Sequence, residues 1–146
     1  MAAMTSLAVL SLVLALGAGA DDSLKKDLEQ LQGTWTVVSM EMDGKFLSEE
    51  RRKKTKVTVE GEKFTFDTGD DSHEGLYKLN PHTNPKELDI VVTRGDEKGK
   101  TYLAIYKFEG GKMIQGMRLD NQSRPSEFTG KAGTGCALEI WERQKP

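Results

Sequence analysis

The chain has 146 residues, 36% of them apolar and 30% charged, and carries a net charge of −2. That length supplies one core and leaves no room for a second domain, and the slightly acidic balance withholds the positive field that non-specific binding to nucleic acid or anionic membranes uses. A lone cysteine, Cys136, excludes an intramolecular disulfide, so stability has to come from backbone pairing and packing.

The first twenty residues hold no charged side chain and are mostly Ala, Leu and Val. Leu7 to Leu16 has the length of a signal-peptide core and is short for a helix crossing about 30 Å of hydrocarbon. Ala18-Gly19-Ala20 supplies the small residues a signal peptidase needs, and Asp21-Asp22 opens a polar region. Residues 1–20 are therefore read as a signal peptide and 21–146 as the domain, exported to the periplasm or secreted, with no integral membrane span after cleavage. A basic residue ahead of the apolar core is missing, which leaves an uncleaved segment as the alternative. Losing this apolar block lowers the apolar share of the remainder below that of the whole chain, and a core so poor in apolar residues has to be narrow or partly open.

Leu24, Leu28 and Leu31 follow the spacing of one helical face, predicting a short helix from Ser23 to Gln32 that Ser23 caps and Gly33 ends. Its stripe needs a surface to cover, and a barrel end offers one. From Thr34 the period becomes two. Eight strands are expected: Thr34–Met42, Lys56–Glu60, Lys63–Asp67, Glu74–Leu79, Glu87–Arg94, Thr101–Phe108, Lys112–Arg118 and Cys136–Arg143. Between the first two, Ser48 caps a second short helix with Glu49 and Glu50 in its first turn and Arg51 to Lys54 at its end, where the helix dipole favours cations. Asp43-Gly44, Gly61, Gly69, Asn80-Pro81, Gly95 to Gly99 and Gly110-Gly111 mark short joints, hence antiparallel neighbours. The fold class is all-β: an eight-stranded antiparallel up-and-down barrel with a short N-terminal helix, closure removing the exposed edges. A β-sandwich is the runner-up, disfavoured by the scarcity of long crossovers.

Alternation places Val57, Val59, Phe64, Phe66, Leu88, Ile90 and Val92 on inner faces, and Tyr102, Ala104, Tyr106 and Phe108 together on one face. On the last strand Cys136, Leu138 and Ile140 oppose Glu139, Trp141 and Arg143. On the first, Trp35, Val37 and Ser39 oppose Val38, Met40 and Met42, and alternation does not choose between them.

Gly33-Thr34-Trp35, where the helix meets the first strand, resembles the Gly-x-Trp signature of the lipocalins. That resemblance implies that Trp35 closes one barrel end and that Arg143 stacks on its indole. Lys107 to Gly111 stands where lipocalins carry Thr-Asp-Tyr. A likeness over nearly the whole domain is to an uncharacterised lipocalin-like domain family known chiefly from planctomycete bacteria, carried by Leu31-Gln32-Gly33-Thr34-Trp35, Asp43-Gly44-Lys45, Arg124-Pro125-Ser126-Glu127-Phe128 and Gly133-Thr134-Gly135. It implies a fold and an export route, with no activity to carry over.

The expected function is binding of a small apolar molecule in the lumen, with Ser39, Tyr77, Tyr102, Tyr106, Met113 and Met117 as candidate walls. Arg124 and Phe128 lie in the one loop long enough to fold over a barrel end, as an anion contact and a plug; the plainer reading pins that loop by a small apolar pocket and a surface ion pair. The alternative function is a solid barrel acting as an interaction module of the cell envelope through an apolar patch near Trp141 or the Arg124 to Phe128 loop. An enzyme is not expected, since no oriented nucleophile or acid/base pair is legible. Nor is a cofactor or metal: the acidic stretch from Asp67 to Gly75 lacks calcium-loop spacing, and His73 and His82 fall in separate turns. Cys136 reads as a small buried hydrophobe. Composition does not determine the oligomeric state.

Overall fold

A computed structural model describes residues 22–145. The segment read as a signal peptide lies outside the described residues. Helix α1 (22–31) leads into β1 (Gly33–Met42), a two-residue strand β2 (Lys45–Phe46) and helix α2 (Glu49–Lys54). Seven further strands follow: β3 (Lys56–Glu60), β4 (Lys63–Asp67), β5 (Ser72–Asn80), β6 (Lys86–Arg94), β7 (Thr101–Glu109), β8 (Lys112–Arg118) and β9 (Cys136–Arg143). From β3 to β9 each strand pairs antiparallel with the next, and β1 pairs with both β3 and β9. The result is a closed eight-stranded antiparallel barrel, with β2 a small flap on the end of β1. Every expected barrel strand is present within two residues of its predicted bounds. Among the described residues no helix is long and apolar enough to cross a membrane.

The undecided face of β1 has a physical cause. Its register with β9 shifts between Val37 and Ser39, so one extra residue changes which parity points inward. Trp35 and Val37 face the core before the shift and Met40 after it, all three buried. Ser39 pairs with Ile140, on the outward face of β9.

One end of the barrel is sealed. Trp35 is buried, donates its indole N–H to the Leu31 carbonyl at 2.8 Å and lies beneath the Arg143 guanidinium, 4.7 Å from the ring centroid. Such stacking contributes about 0.5–2 kcal/mol. Arg143 also donates to the Gln30 carbonyl. Helix α1 is fixed across this end by the buried Asp27, whose Oδ2 accepts from Tyr106 Oη at 2.7 Å and from Lys86 Nζ at 2.9 Å. The side chain of Gln32 clasps the β3–β4 turn, donating to the Gly61 carbonyl and accepting from the Gly61 amide. Ser23 lies within the helix rather than capping it. Leu31 and Asp27 are the helix's buried residues, whereas Leu24 and Leu28 stay half-buried, so the helix is rotated from the all-leucine face that spacing predicts. Above this seal Leu31, Trp35, Val57, Val59, Leu88, Tyr106 and Met113 form a filled core, each buried apolar side chain contributing about 1.5–3 kcal/mol.

Residues 119–135 form a strap down the outer wall rather than a lid over the mouth. Arg124 starts it on β6 and β7. Its guanidinium donates to the Leu88 and Ala104 carbonyls at 3.2 and 2.8 Å and pairs with Glu87 at 3.1 Å and Asp89 at 2.7 Å. Glu87 and Asp89 alternate with the fully buried Leu88, so they point outward, and Arg124 is outside the barrel with them. Farther along, Phe128 packs beneath Lys107, 4.7 Å from its Nζ, and Gly130 lies against the backbone of Glu41 and Leu138. The outward Ile105, 1% exposed, lies beside Gly116, next to the carbonyl of Glu127 in the strap. Two amides of its last turn, those of Gly133 and Gly135, donate to the Asp43 carboxylate.

Candidate functional site

At the end away from α1 the lumen opens. The β4–β5 turn, the β6–β7 turn and the end of β8 frame a cup of about 290 Å³, walled by Phe64, Phe66, Ile90, Val92, Tyr102 and Met117 and floored by Tyr77, Gln115, Glu139 and Trp141. The floor follows from register. Gln115 and Glu139 are direct partners on β8 and β9, Met113 and Trp141 are the next inward pair below, and Tyr77 stacks on Phe64 at 4.5 Å between ring centroids. Gly75 makes room for this: it faces Phe64 across β4 and β5, and a Cβ there would meet the Val91 carbonyl at 2.1 Å and the Phe64 ring at 2.6 Å. Below it lies a void of about 10 Å³ between Trp35, Met113 and Trp141, too small for a ligand.

The floor is chemically unusual because it holds a carboxyl group. Glu139 Oε1 accepts the Trp141 indole N–H at 3.0 Å, while its second oxygen accepts no hydrogen bond from the described residues. Burial pushes this carboxyl up to about 7, only partly offset by the indole hydrogen bond. The residual exposure of Glu139 is to the cup, so water and solutes reach it only through the mouth. The Tyr77 phenol is raised well above its ordinary value, first by burial and then by the negative charge of Glu139. Gln115, 4% exposed, donates to the Met113 sulfur at 3.2 Å, a weak acceptor. At the rim, the buried His73 Nδ1 has no hydrogen-bond partner among the described residues and lies against Gly95, where a Cβ would come within 2.4 Å of it.

Of the residues the sequence nominated as lumen walls, the structure brings Tyr77, Tyr102 and Met117 together in the cup. Tyr106 and Met113 sit below, in the filled core. The bulge turns Ser39 outward, and Arg124 and Phe128 belong to the outer strap, held there by the carboxylates of β6 and by Lys107. Neither residue of that pair reaches the mouth. Trp141, offered as the centre of an exposed apolar patch, is 3% exposed and inside the barrel. Glu139, Gln115, Phe64, Phe66 and His73 join the site without having been nominated. Alternation along β9 held the only signal for Glu139, by placing it on the same face as Trp141.

A larger hollow of about 530 Å³ lies beside α1, bounded by Lys26, Asp27, Pro85, Lys86 and Phe128. It is an open groove whose central carboxylate is already shared by Tyr106 and Lys86, so the cup is the better candidate. Among the described residues no group of three metal-ligating side chains converges. Compared with family models, curated proteins and solved structures, the chain matches none of them.

Proposed function

We propose that this protein is an exported, lipocalin-like binding protein that holds one small, mostly apolar molecule in the open half of its barrel, and that it belongs with the planctomycete lipocalin-like domain family whose motifs it resembles. The supporting observation is the division of the lumen: the half nearest α1 is filled, while the other half is an apolar cup of about 290 Å³ open at one end. Pockets for small molecules are apolar hollows with a few placed polar groups, and Phe64, Phe66, Ile90, Val92 and Met117 around Glu139 and Gln115 have that composition. We read the protein as a binder rather than an enzyme because the carboxyl of the cup is hydrogen-bonded to the Trp141 indole, and among the described residues no second acid or base is hydrogen-bonded to it.

Titration with N-phenyl-1-naphthylamine, a neutral dye that brightens in apolar surroundings, tests this reading. Saturable one-to-one binding is expected, and Met117→Trp, which fills the cup, abolishes it without loss of fold. Absence of saturable binding to the unmodified protein refutes the proposal. A second reading, an interaction module of the cell envelope, draws on two large apolar side chains that stand exposed among the described residues, Phe46 at 67% and Leu119 at 50%. Binding of a partner there leaves the dye titration unchanged.

A further inference from the structure

We propose that the cup selects molecules that join an apolar body to a protonated amine, the ammonium group lying on the free oxygen of Glu139 at the floor. This rests on the reading of the cup as a ligand site and names the chemical class that site takes. Four observations carry it. Glu139 points inward, fixed by its register opposite Gln115 and by the Trp141 indole on Oε1. Its other oxygen has no donor among the described residues. Among the described residues no lysine or arginine lines the cup to neutralise it. The walls above it are aromatic and aliphatic rings and chains that fit an apolar body but satisfy no charge.

A buried carboxyl without a cationic partner is costly to keep, and an unpaired one neutralises itself by holding a proton. The raised pKa of Glu139 is that response. An entering ammonium replaces the missing counter-charge, so the carboxyl is ionised in the complex and donates nothing. A carboxylate ligand meets the opposite situation, and a neutral alcohol gains only an ordinary hydrogen bond. The other ionisable groups on the cup are His73 and Tyr77 on β5, Tyr102 on β7 and Glu97 in the β6–β7 turn; the inward residues contributed by β4, β6 and β8 are uncharged. Glu97 at the rim is paired with Lys100 at 3.8 Å, which leaves Glu139 as the carboxyl without a cation among the cup's described residues.

The experiment is displacement of N-phenyl-1-naphthylamine at pH 8 by three probes of one shape: 2-phenylethylamine, 2-phenylethanol and 3-phenylpropionate. The amine is expected to bind about tenfold to a hundredfold more tightly than the alcohol, the range a charge-assisted hydrogen bond supports, and the carboxylate more weakly than either. In Glu139→Gln, which keeps the acceptor for Trp141, the preference for the amine falls to within about threefold. Lowering the pH from 8 to 5 on the unmodified protein erodes the same preference as Glu139 takes up its proton, an outcome that does not depend on any variant folding. Equal affinity for amine and alcohol, or a preference that survives Glu139→Gln, overturns the assignment of an amine while leaving the cup as a binding site. Failure of the dye itself to bind overturns the binding reading, and this inference with it.

Discussion

Replacing Glu139 by Gln should make the protein more stable at pH 8 and no different at pH 4. The folded chain keeps a proton on this carboxyl up to about 7, against an ordinary 4.5. Between those values the folded state carries one more proton than the unfolded state, so raising the pH favours unfolding. At about 1.4 kcal/mol for each decade, the interval amounts to roughly 3 kcal/mol of stability lost by pH 8. Glutamine has no charge to bury and still accepts the indole hydrogen bond, 3.0 Å long in the native floor, as the protonated carboxyl does at pH 4. The net expectation is a gain of about 3 kcal/mol at pH 8. Urea unfolding followed by indole fluorescence at half-unit steps from pH 4 to 8 measures it, and subtracting the two profiles cancels every other titrating group. Parallel profiles would show that Glu139 titrates as a solvated carboxyl and would remove the physical basis of the floor.

Three further outcomes follow from the scaffold. Tyr106→Phe removes one of the two donors on Asp27 and should cost about 1–2 kcal/mol, with amide exchange quickening over 22–31 and the dye affinity of the cup unchanged. Arg124→Ala leaves two outward carboxylates and two carbonyls without their shared donor; a loss of about 1–3 kcal/mol and new protease cuts within 119–135 are expected, again with no change in binding, and a loss of dye binding would place the strap at the mouth after all. Gly75→Ala drives a methyl into the Val91 carbonyl and the Phe64 ring and should cost about 3 kcal/mol or more, read as a fall in the thermal midpoint together with weakened dye binding.

The frame of the barrel was legible because most strands obey a strict period of two and the joints between them carry glycine, asparagine or proline. The limits of that signal are equally physical. A one-residue bulge after Val37 mixes the two faces of β1, and no window that averages over the strand can separate them. On β9 the pattern separates two faces without naming the inner one. Leu138 and Ile140 are the apolar pair there, yet they face outward, where the strap passes Leu138, while a glutamate faces in. A carboxyl buried against the apolar pattern is where sequence reasoning fails, since the pattern records stability and this group works against it. The strap keeps two readings in the sequence, a lid and a loop pinned by an ion pair of Arg124, for another reason. A loop of that length reaches the mouth or the wall equally well, and the choice rests on Glu87 and Asp89, remote in sequence, whose outward direction becomes informative only once β6 is paired.

The same strap gives the lone thiol a guard. Cys136 is 7% exposed, and its Sγ–H points at the Thr134 carbonyl, 3.4 Å away in the strap's last turn. Oxidants and alkylating reagents attack a thiolate they can reach, so in an oxidising compartment this sulfur survives for as long as that turn stays seated. Its labelling rate then serves as a clock for local opening of the outer wall, separate from global unfolding and from any traffic through the mouth.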